Sequence, residues 1–295
     1  MSHKQANSRL RKEPEQVKVE TGVNASNIIL QREIIHGKER LGFDHIYVIV
    51  ASQERKEYSK KILDYHHLEY ELFQAQLRDS QIVTDTIDYM KGVLPSLVTQ
   101  DTPGLIACWA SHRSVWQDAI NRNYSTILIL EDDVDSRIDL VQRMKIAWNQ
   151  VPDDWQMLLP GYCFIQFDIP NGHIDSMKPV YKVRSAVCTH AYGVKRELLP
   201  VLLDITAPRI GEAVDVQAIK DPLESELFRA YGLLPHVINQ RPLTAKRNSV
   251  INSQLNKVEQ GDHLIENDWR RNDQYELNQS TAHQVGADYW INLAD

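Results

Sequence analysis

Between Ser125 and Arg137 the chain reads STILILEDDVDSR: four apolar residues in succession, Ile127 to Leu130, and then four acids within the next five positions. A short apolar run rich in branched residues is a buried-strand pattern, so this stretch calls for a sheet with helices packed against it. The acids at its end leave two readings open. A strand surfacing into a polar turn carries solvated carboxylates at no cost, whereas a strand end built to hold a divalent ion carries them because hard cations take oxygen ligands. Side chains alternate along a strand, so Glu131, Asp133 and Asp135 are expected on one face and Asp132 on the other. Three carboxylates so placed repel one another unless a cation sits among them. In open α/β sheets the carboxyl end of a strand is also where ligands bind.

The flanking segments agree with an α/β class. FDHIYVIVA (43–51) reads as a buried strand, SQERKEYSKKILDYHHL as a charged amphipathic helix and YELFQAQL as a second strand. From Pro103, the segment PGLIACWASHRSVWQDAINRN puts Leu105, Cys108, Trp109, His112, Val115, Trp116, Ala119 and Ile120 on one side of a helix. After the acids come a helix in SRIDLVQRMKIAWNQV, buried strand in DDWQMLLPGYCFIQFDI and a strand region in YKVRSAVCTHAYGV. The helix KRELLPVLLDI follows, with Pro200 expected to kink it. LESELFRAYG reads as a helix stopped by Gly232, and LLPHVIN as a short strand. The expected organisation is one α/β domain over 41–245, a loosely attached tail over 1–40 and an irregular extension over 246–295. Trp269 and Trp290 lie in that extension, where large aromatics in polar surroundings mark a binding surface or a docked tail. Trp116, Trp148 and Trp155 read as core, with a sugar-stacking platform as the other possibility.

Composition narrows the partners. The chain has 295 residues, 42% hydrophobic and 25% charged, and a formal net charge of −7. It holds no run of Lys and Arg able to track a phosphate backbone, which argues against nucleic acid. No segment is apolar enough for a membrane span or a signal peptide, and three cysteines without CxxC spacing read as buried thiols. A cytoplasmic location is therefore expected. Asn24, Asn123 and Asn278 each open an Asn-x-Ser triplet, a pattern that arises by chance without entry to the secretory pathway.

Acids at a strand end also occur in nucleotide-hydrolysing enzymes, yet the chain contains no GxxxxGK[ST] loop, and no GxGxxG follows a strand. A sugar-nucleotide transferase, with a metal bridging the diphosphate leaving group, uses the same acids differently. PGLIACWASHRSVWQDAI followed by ILILEDDV resembles glycosyltransferase family 25, which carries a Gly-x-x-x-Cys-x-x-Ser-His-x-x-x-Trp helix shortly before a Leu-Glu-Asp-Asp-Val strand end. The matching positions are Gly104, Cys108, Ser111, His112 and Trp116, then Leu130 to Val134. CTHAYGVKRELLPVLL resembles the family's Thr-x-x-Tyr strand and the helix after it, AVDVQ its later aspartate, and LLPHVINQ its final Pro-x-x-x-x-Gln strand. The loop after the first strand departs from the family's Asn-Leu-x-Arg-Arg: it reads YVIVASQER and keeps only Arg55.

The resemblance implies a GT-A fold of Rossmann-like mixed sheet and flanking helices, a nucleotide-sugar donor such as a UDP-sugar, Mn²⁺ or Mg²⁺, and inverting transfer of a hexose such as galactose to a saccharide or hydroxylated acceptor. Glu131 and Asp133 are then the expected metal ligands, and Glu131 and Asp132 donor contacts. Asp215 is the candidate base, with helix capping as its other role. Arg55 and Lys195 are candidates for the diphosphate. His112, on the apolar stripe of its helix, reads as a hydrogen-bonded core residue. Two other readings compete: a catalytically silent relative serving as a binding module, suggested by the altered loop, and an unrelated metal-dependent phosphotransferase.

Overall fold

The computed structural model describes residues 32–93, 95–169, 178–206, 212–240 and 280–285, with short strands at 18–19, 22–23 and 29–30. In chain order the main elements are β1 (Arg32–Ile35), β2 (His45–Val50), α1 (Gln53–Tyr65), β3 (Tyr70–Gln74), α2 (Gln81–Val93), α3 (Thr102–Asn121), β4 (Thr126–Glu131) and β5 (Val134–Ser136). There follow α4 (Leu140–Trp148), β6 (Met157–Leu159), β7 (Ile165–Asp168), β8 (Val180–Ala186), β9 (Ala191–Lys195), α5 (Leu199–Ile205), α6 (Asp221–Glu224), β10 (Ala230–Leu233), β11 (Ile238–Gln240) and α7 (Thr281–Gln284).

All of β2 and the centre of β4 are buried, so both faces of the sheet must be covered, and the strand residues divide between two cores. Tyr47, Ile49, Ile127 and Ile129 pack with Val83 and Ile87 of α2, Val115 and Trp116 of α3 and Leu202 of α5. Ile46, Val48, Leu128 and Leu130 pack on the opposite side with Leu63 of α1 and with Leu140 and Met144 of α4. The result is a mixed α/β layered domain. Its ten-stranded sheet runs from the short strand at Lys18–Val19 through β1, β3, β2, β4, β9, β6, β10 and β8 to β7. β2 is parallel to both β3 and β4, and β10 is parallel to β6; the remaining pairs are antiparallel. From β2 the chain goes first to β3 on one side and later to β4 on the other. The carboxyl ends of β2 and β4 therefore flank a topological switch point, the usual crevice for a ligand in such sheets.

Several expectations are corrected. The sheet reaches into the segment read as a tail, because β1 pairs with β3 along Arg32 to Ile35. Helix α2 occupies a stretch to which the sequence reading gave no element. The helix expected across LESELFRAYG ends at Glu224, and Ala230 to Leu233 forms an inner strand between β6 and β8, so Gly232 sits mid-strand rather than at a helix stop. Pro200 lies in the first turn of α5, where proline is tolerated without a kink. Trp116 and Trp155 are buried, and Trp148 packs edge-on against Phe43 and Trp155, so these three are core. Two of the three expected thiols are joined: Cys163 and Cys188 form a disulfide, with Cα atoms 5.8 Å apart, and Cys108 alone is free. Among the described residues no helix is long and apolar enough to cross a membrane. Trp269, Trp290, Asn24 and Asn278 lie outside the described residues.

Candidate active site

Strand β4 ends at Glu131, and the chain turns through Asp132 and Asp133 before β5 pairs with β11. That turn breaks the alternation expected of a continuous strand. Asp135 is consequently carried away from the other acids: its carboxylate accepts from Ser136 N at 2.8 Å, Ala282 N at 3.0 Å and Ser280 Oγ at 2.7 Å. Asp135 thus fastens the C-terminal segment at α7, where Ala282 packs on Tyr58 and Ile62 of α1. It takes no part in an acidic cluster with Glu131 and Asp133.

Asp132 joins the turn to the loop after β2. Its Oδ1 accepts from Arg55 Nη1 at 2.7 Å and its Oδ2 from Ala51 N at 2.7 Å, while Ser59 Oγ donates to its carbonyl. Ser52 caps α1 by accepting from Arg55 N, which holds Arg55 at the helix start. Arg55 also lies 3.8 Å from Asp133 Oδ2. The two loops of the switch point are thereby clasped to each other.

Asp133 is less well served. Its Oδ2 accepts from Gln240 Nε2 at 3.2 Å, but its Oδ1 is buried without a hydrogen-bond partner among the described residues. Burial, and then the neighbouring Glu131 and Asp132, push its carboxyl up to about 7. Glu131 contrasts with it. Burial would raise it, but donors win: His112 Nε2 at 3.3 Å and Thr189 Oγ1 at 2.6 Å both point at its Oε1, and its carboxyl lies below the ordinary range. Oε2 of Glu131 has no protein partner among the described residues.

Asp215 stands at the start of a π-helical turn, Val216–Lys220. Its Oδ1 accepts from Val216 N at 2.9 Å and its Oδ2 from Cys188 N at 2.8 Å, so it does cap the turn. Burial raises its carboxyl despite these donors, and Glu131 raises it further. Asp215 and Glu131 are held by consecutive residues, Cys188 N and Thr189 Oγ1, and the Cys108 thiol is pushed upward by burial and then by Glu131, Asp215 and Asp133.

Lys195 is not brought to this site. It pairs with Thr126 at the start of β4, roughly 15 Å along the strand from Glu131. Its Nζ donates to Asp153 O at 2.7 Å and lies over the Trp155 ring. Ser111 serves the framework, donating to Ala107 O and accepting from Gln76 N. Thr189, Tyr192 and Gln240 were given no role from sequence, although the Thr-x-x-Tyr and Pro-x-x-x-x-Gln patterns that hold them were visible.

Glu131, Asp132, Asp133 and Asp215 thus lie in one region, with Arg55 in contact with Asp132 and Asp133. Hard oxygen donors, an unsatisfied buried oxygen on Asp133 and a free Oε2 on Glu131 fit a divalent ion such as Mg²⁺ or Mn²⁺. Among the described residues the carboxylates do not bring three ligand atoms within 4.8 Å of one another, whereas a softer set, Cys108, His112 and Glu131, does. Both His112 nitrogens are already hydrogen-bonded and the thiol is held protonated, so that set suits an ion poorly. A second grouping, Cys163, Cys188 and His190, has its sulfurs in the disulfide.

A Rossmann-like sheet that gathers carboxylates at its switch point defines a class of ligand-binding α/β proteins. The comparisons narrow it: residues 43–216 match glycosyltransferase family 25 (LPS biosynthesis protein), and the chain belongs to that family. Procollagen galactosyltransferase 2 of Homo sapiens is 23% identical over 256 residues, covering 79% of this chain and 40% of that protein. A glycosyltransferase 25 family member of Anopheles gambiae is 32% identical over 104 residues, covering 33% of this chain and 18% of its own length. The chain thus spans about two fifths of the human relative. Among solved structures, mannose-1-phosphate geranyltransferase from Thermus thermophilus aligns with a TM-score of 0.29 and 9% identity over 67% of this chain and 74% of that one.

Proposed function

We propose that the chain is an inverting glycosyltransferase of the GT-A type, moving a hexose, galactose in the first instance, from a UDP-sugar to a hydroxyl of a saccharide or of a hydroxylated acceptor. The observation that carries the reading is the buried, unpartnered Oδ1 of Asp133 within a carboxylate cluster short of cations. Glu131 and Asp133 would hold Mn²⁺ or Mg²⁺. The bound ion would supply positive charge against the departing diphosphate. The protein's own residues do the rest. Arg55, tied to Asp132 at the mouth of the crevice, presents part of its guanidinium to the same phosphates. Asp215, made more basic by burial, accepts the proton of the acceptor hydroxyl as that oxygen bonds to the sugar C1 and the UDP oxygen leaves from the opposite face. Its two oxygens are oriented by backbone N–H groups and each retains a lone pair for that proton.

The family membership supports the sugar-transfer class, and the galactosyltransferase name of the human relative favours galactose. The Cys163–Cys188 bond favours a compartment in which disulfides persist over the cytoplasm expected from sequence. The test is release of nucleotide from a panel of UDP- and GDP-sugars by the purified chain, with and without Mn²⁺. Metal-dependent release from one donor is the expected result. Silence across the panel, with no rise in melting temperature on adding UDP and Mn²⁺, would instead favour the non-catalytic relative.

A further inference from the structure

Behind Glu131 runs a chain of buried hydrogen bonds that the reaction above leaves unexplained. Trp116 Nε1 donates to Tyr192 Oη at 2.8 Å, Tyr192 Oη meets His112 Nδ1 at 2.9 Å, and His112 Nε2 meets Glu131 Oε1 at 3.3 Å. Trp116, Tyr192 and His112 are at most 1% exposed, so the chain is shut off from bulk solvent.

The direction of every bond follows from one end. An indole N–H can only donate, so the tyrosine hydroxyl spends a lone pair on Trp116. Tyr192 Oη has no third partner among the described residues, and its own hydrogen must go to His112 Nδ1 or be left unsatisfied in the core. His112 Nδ1 is therefore the acceptor, and Nε2 carries the ring proton. That proton points at Glu131 Oε1, which also receives Thr189 Oγ1 at 2.6 Å. With two donors on Oε1, the carboxylate plane is fixed and Oε2 faces the site.

We propose that Trp116, Tyr192 and His112 form a positioning relay that holds His112 with its Nε2–H toward Glu131 and thereby aims Oε2 of Glu131 at the cation or donor phosphates. The proposal rests on the transferase reading of the site. Residues that orient a metal ligand from behind change affinity by about 10- to 100-fold when removed. None of the three relay residues touches substrate in this account, and each acts through Glu131.

The test measures free Mn²⁺ by electron paramagnetic resonance against the purified chain in the presence of UDP, alongside UDP-sugar hydrolysis, for four proteins. His112→Leu removes the donor and is expected to raise the Mn²⁺ Kd by about 10- to 100-fold. His112→Gln offers an amide N–H near the position of Nε2 and is expected to recover about tenfold of that loss, by the same magnitude. Tyr192→Phe, nearly isosteric, frees the tautomer and is expected to raise Kd by about 3- to 10-fold, the low end of that range. A structural role alone predicts that Leu and Gln lower the melting temperature alike and leave Kd where it was; that result overturns the relay. Wild type that takes up Mn²⁺ and UDP while all variants match it sinks the relay and spares the transferase. Wild type that takes up neither sinks the reading of the site, and the relay with it.

Discussion

The sheet carries a buried acidic cluster at each end of its parallel strands, and the two are built on opposite plans. At the amino end, Glu71 of β3 and Asp118 of α3 are surrounded by cations: Arg32 reaches Asp118 at 2.7 Å and Glu71 at 3.8 Å, Arg122 pairs with both acids, and His45 lies 3.1 Å from Glu71. Tyr47 adds a hydrogen bond to Asp118 at 2.8 Å. Burial would raise Glu71, but His45 and Arg122 outweigh it and hold its carboxyl below the ordinary range. At the carboxyl end, where Glu131, Asp132, Asp133 and Asp215 gather, Arg55 contacts Asp132 and Asp133, and Asp133 is pushed up to about 7. Burial raises the carboxyls at both ends; at Glu71 the chain's own partners outweigh it, and at Asp133 they do not. The first cluster is neutralised by the chain itself and serves the fold; the second is left negative, which is the condition of a site that takes a cation from outside.

The largest effect that would break this contrast is at Asp133. Asp133→Asn is expected to lower Mn²⁺-dependent UDP-sugar hydrolysis by about 10³-fold, comparable to losing one electrostatic contact in a transition state. In the absence of metal the same variant should melt higher than wild type at pH 8, since it removes a buried charge that Arg55, 3.8 Å away and also paired with Asp132, does not offset. Hydrolysis at wild-type rate would sink the assignment. Next comes Glu71→Ala, which strips the arginines of their partner and should cost about 3 kcal/mol of stability in urea unfolding. Because that cluster serves the fold, the Mn²⁺ affinity of the folded fraction should not change; a shift in Kd would show that the two ends communicate.

Asp215→Asn should reduce hydrolysis or transfer by about 10²- to 10³-fold with the UDP affinity intact, within the span of general-base catalysis. A fall in affinity instead would assign Asp215 to donor binding.

The pH profile sharpens the comparison further. Glu71 has a folded pKa below its unfolded one, so its contribution is present above the ordinary carboxylate range and is lost as pH falls through it. Asp133 is the reverse: its folded pKa is raised, so its contribution is full below the unfolded value and is lost as pH rises toward about 7. Melting temperature without metal should therefore fall between pH 5 and pH 8, and Mn²⁺ with UDP should cancel that fall. Asp133→Asn should flatten the metal-free profile. The smallest effect is expected at Arg55→Ala: a half-exposed cation lost from Asp132, about 1 kcal/mol of stability by calorimetry, with weaker UDP binding.

The parts readable from sequence were those written in neighbouring residues. The β4 run depends on a short apolar succession and fell where the pattern put it, and Trp109, His112, Val115, Trp116 and Ala119 of the α3 stripe are buried as their spacing of about four requires. What escaped depended on pairing across the chain. Asp135 left the cluster because the turn at Asp132 and Asp133 broke the alternation, and its use is set by Ser280 and Ala282, distant in sequence. The SELFRAYG stretch has helical spacing, yet Ala230 to Leu233 is claimed by strands on both sides. Lys195 is close in sequence to Thr189 and Tyr192, but one strand length carries it to the opposite end of the strands, beside Thr126. The disulfide joins cysteines 25 residues apart with no local spacing to announce it.

That bond also ties the outer part of the sheet to the site. Its two ends lie beside the site, since Cys188 N holds Asp215 and Cys163 Sγ lies 3.5 Å from the side-chain oxygen of Gln240, the residue that donates to Asp133. Between the two cysteines run β7 and β8, the last two strands of the sheet. The cross-link thus clamps the base of that strand pair, and a displacement of either strand would be passed to the backbone N–H and the side-chain amide that hold two of the site's carboxylates.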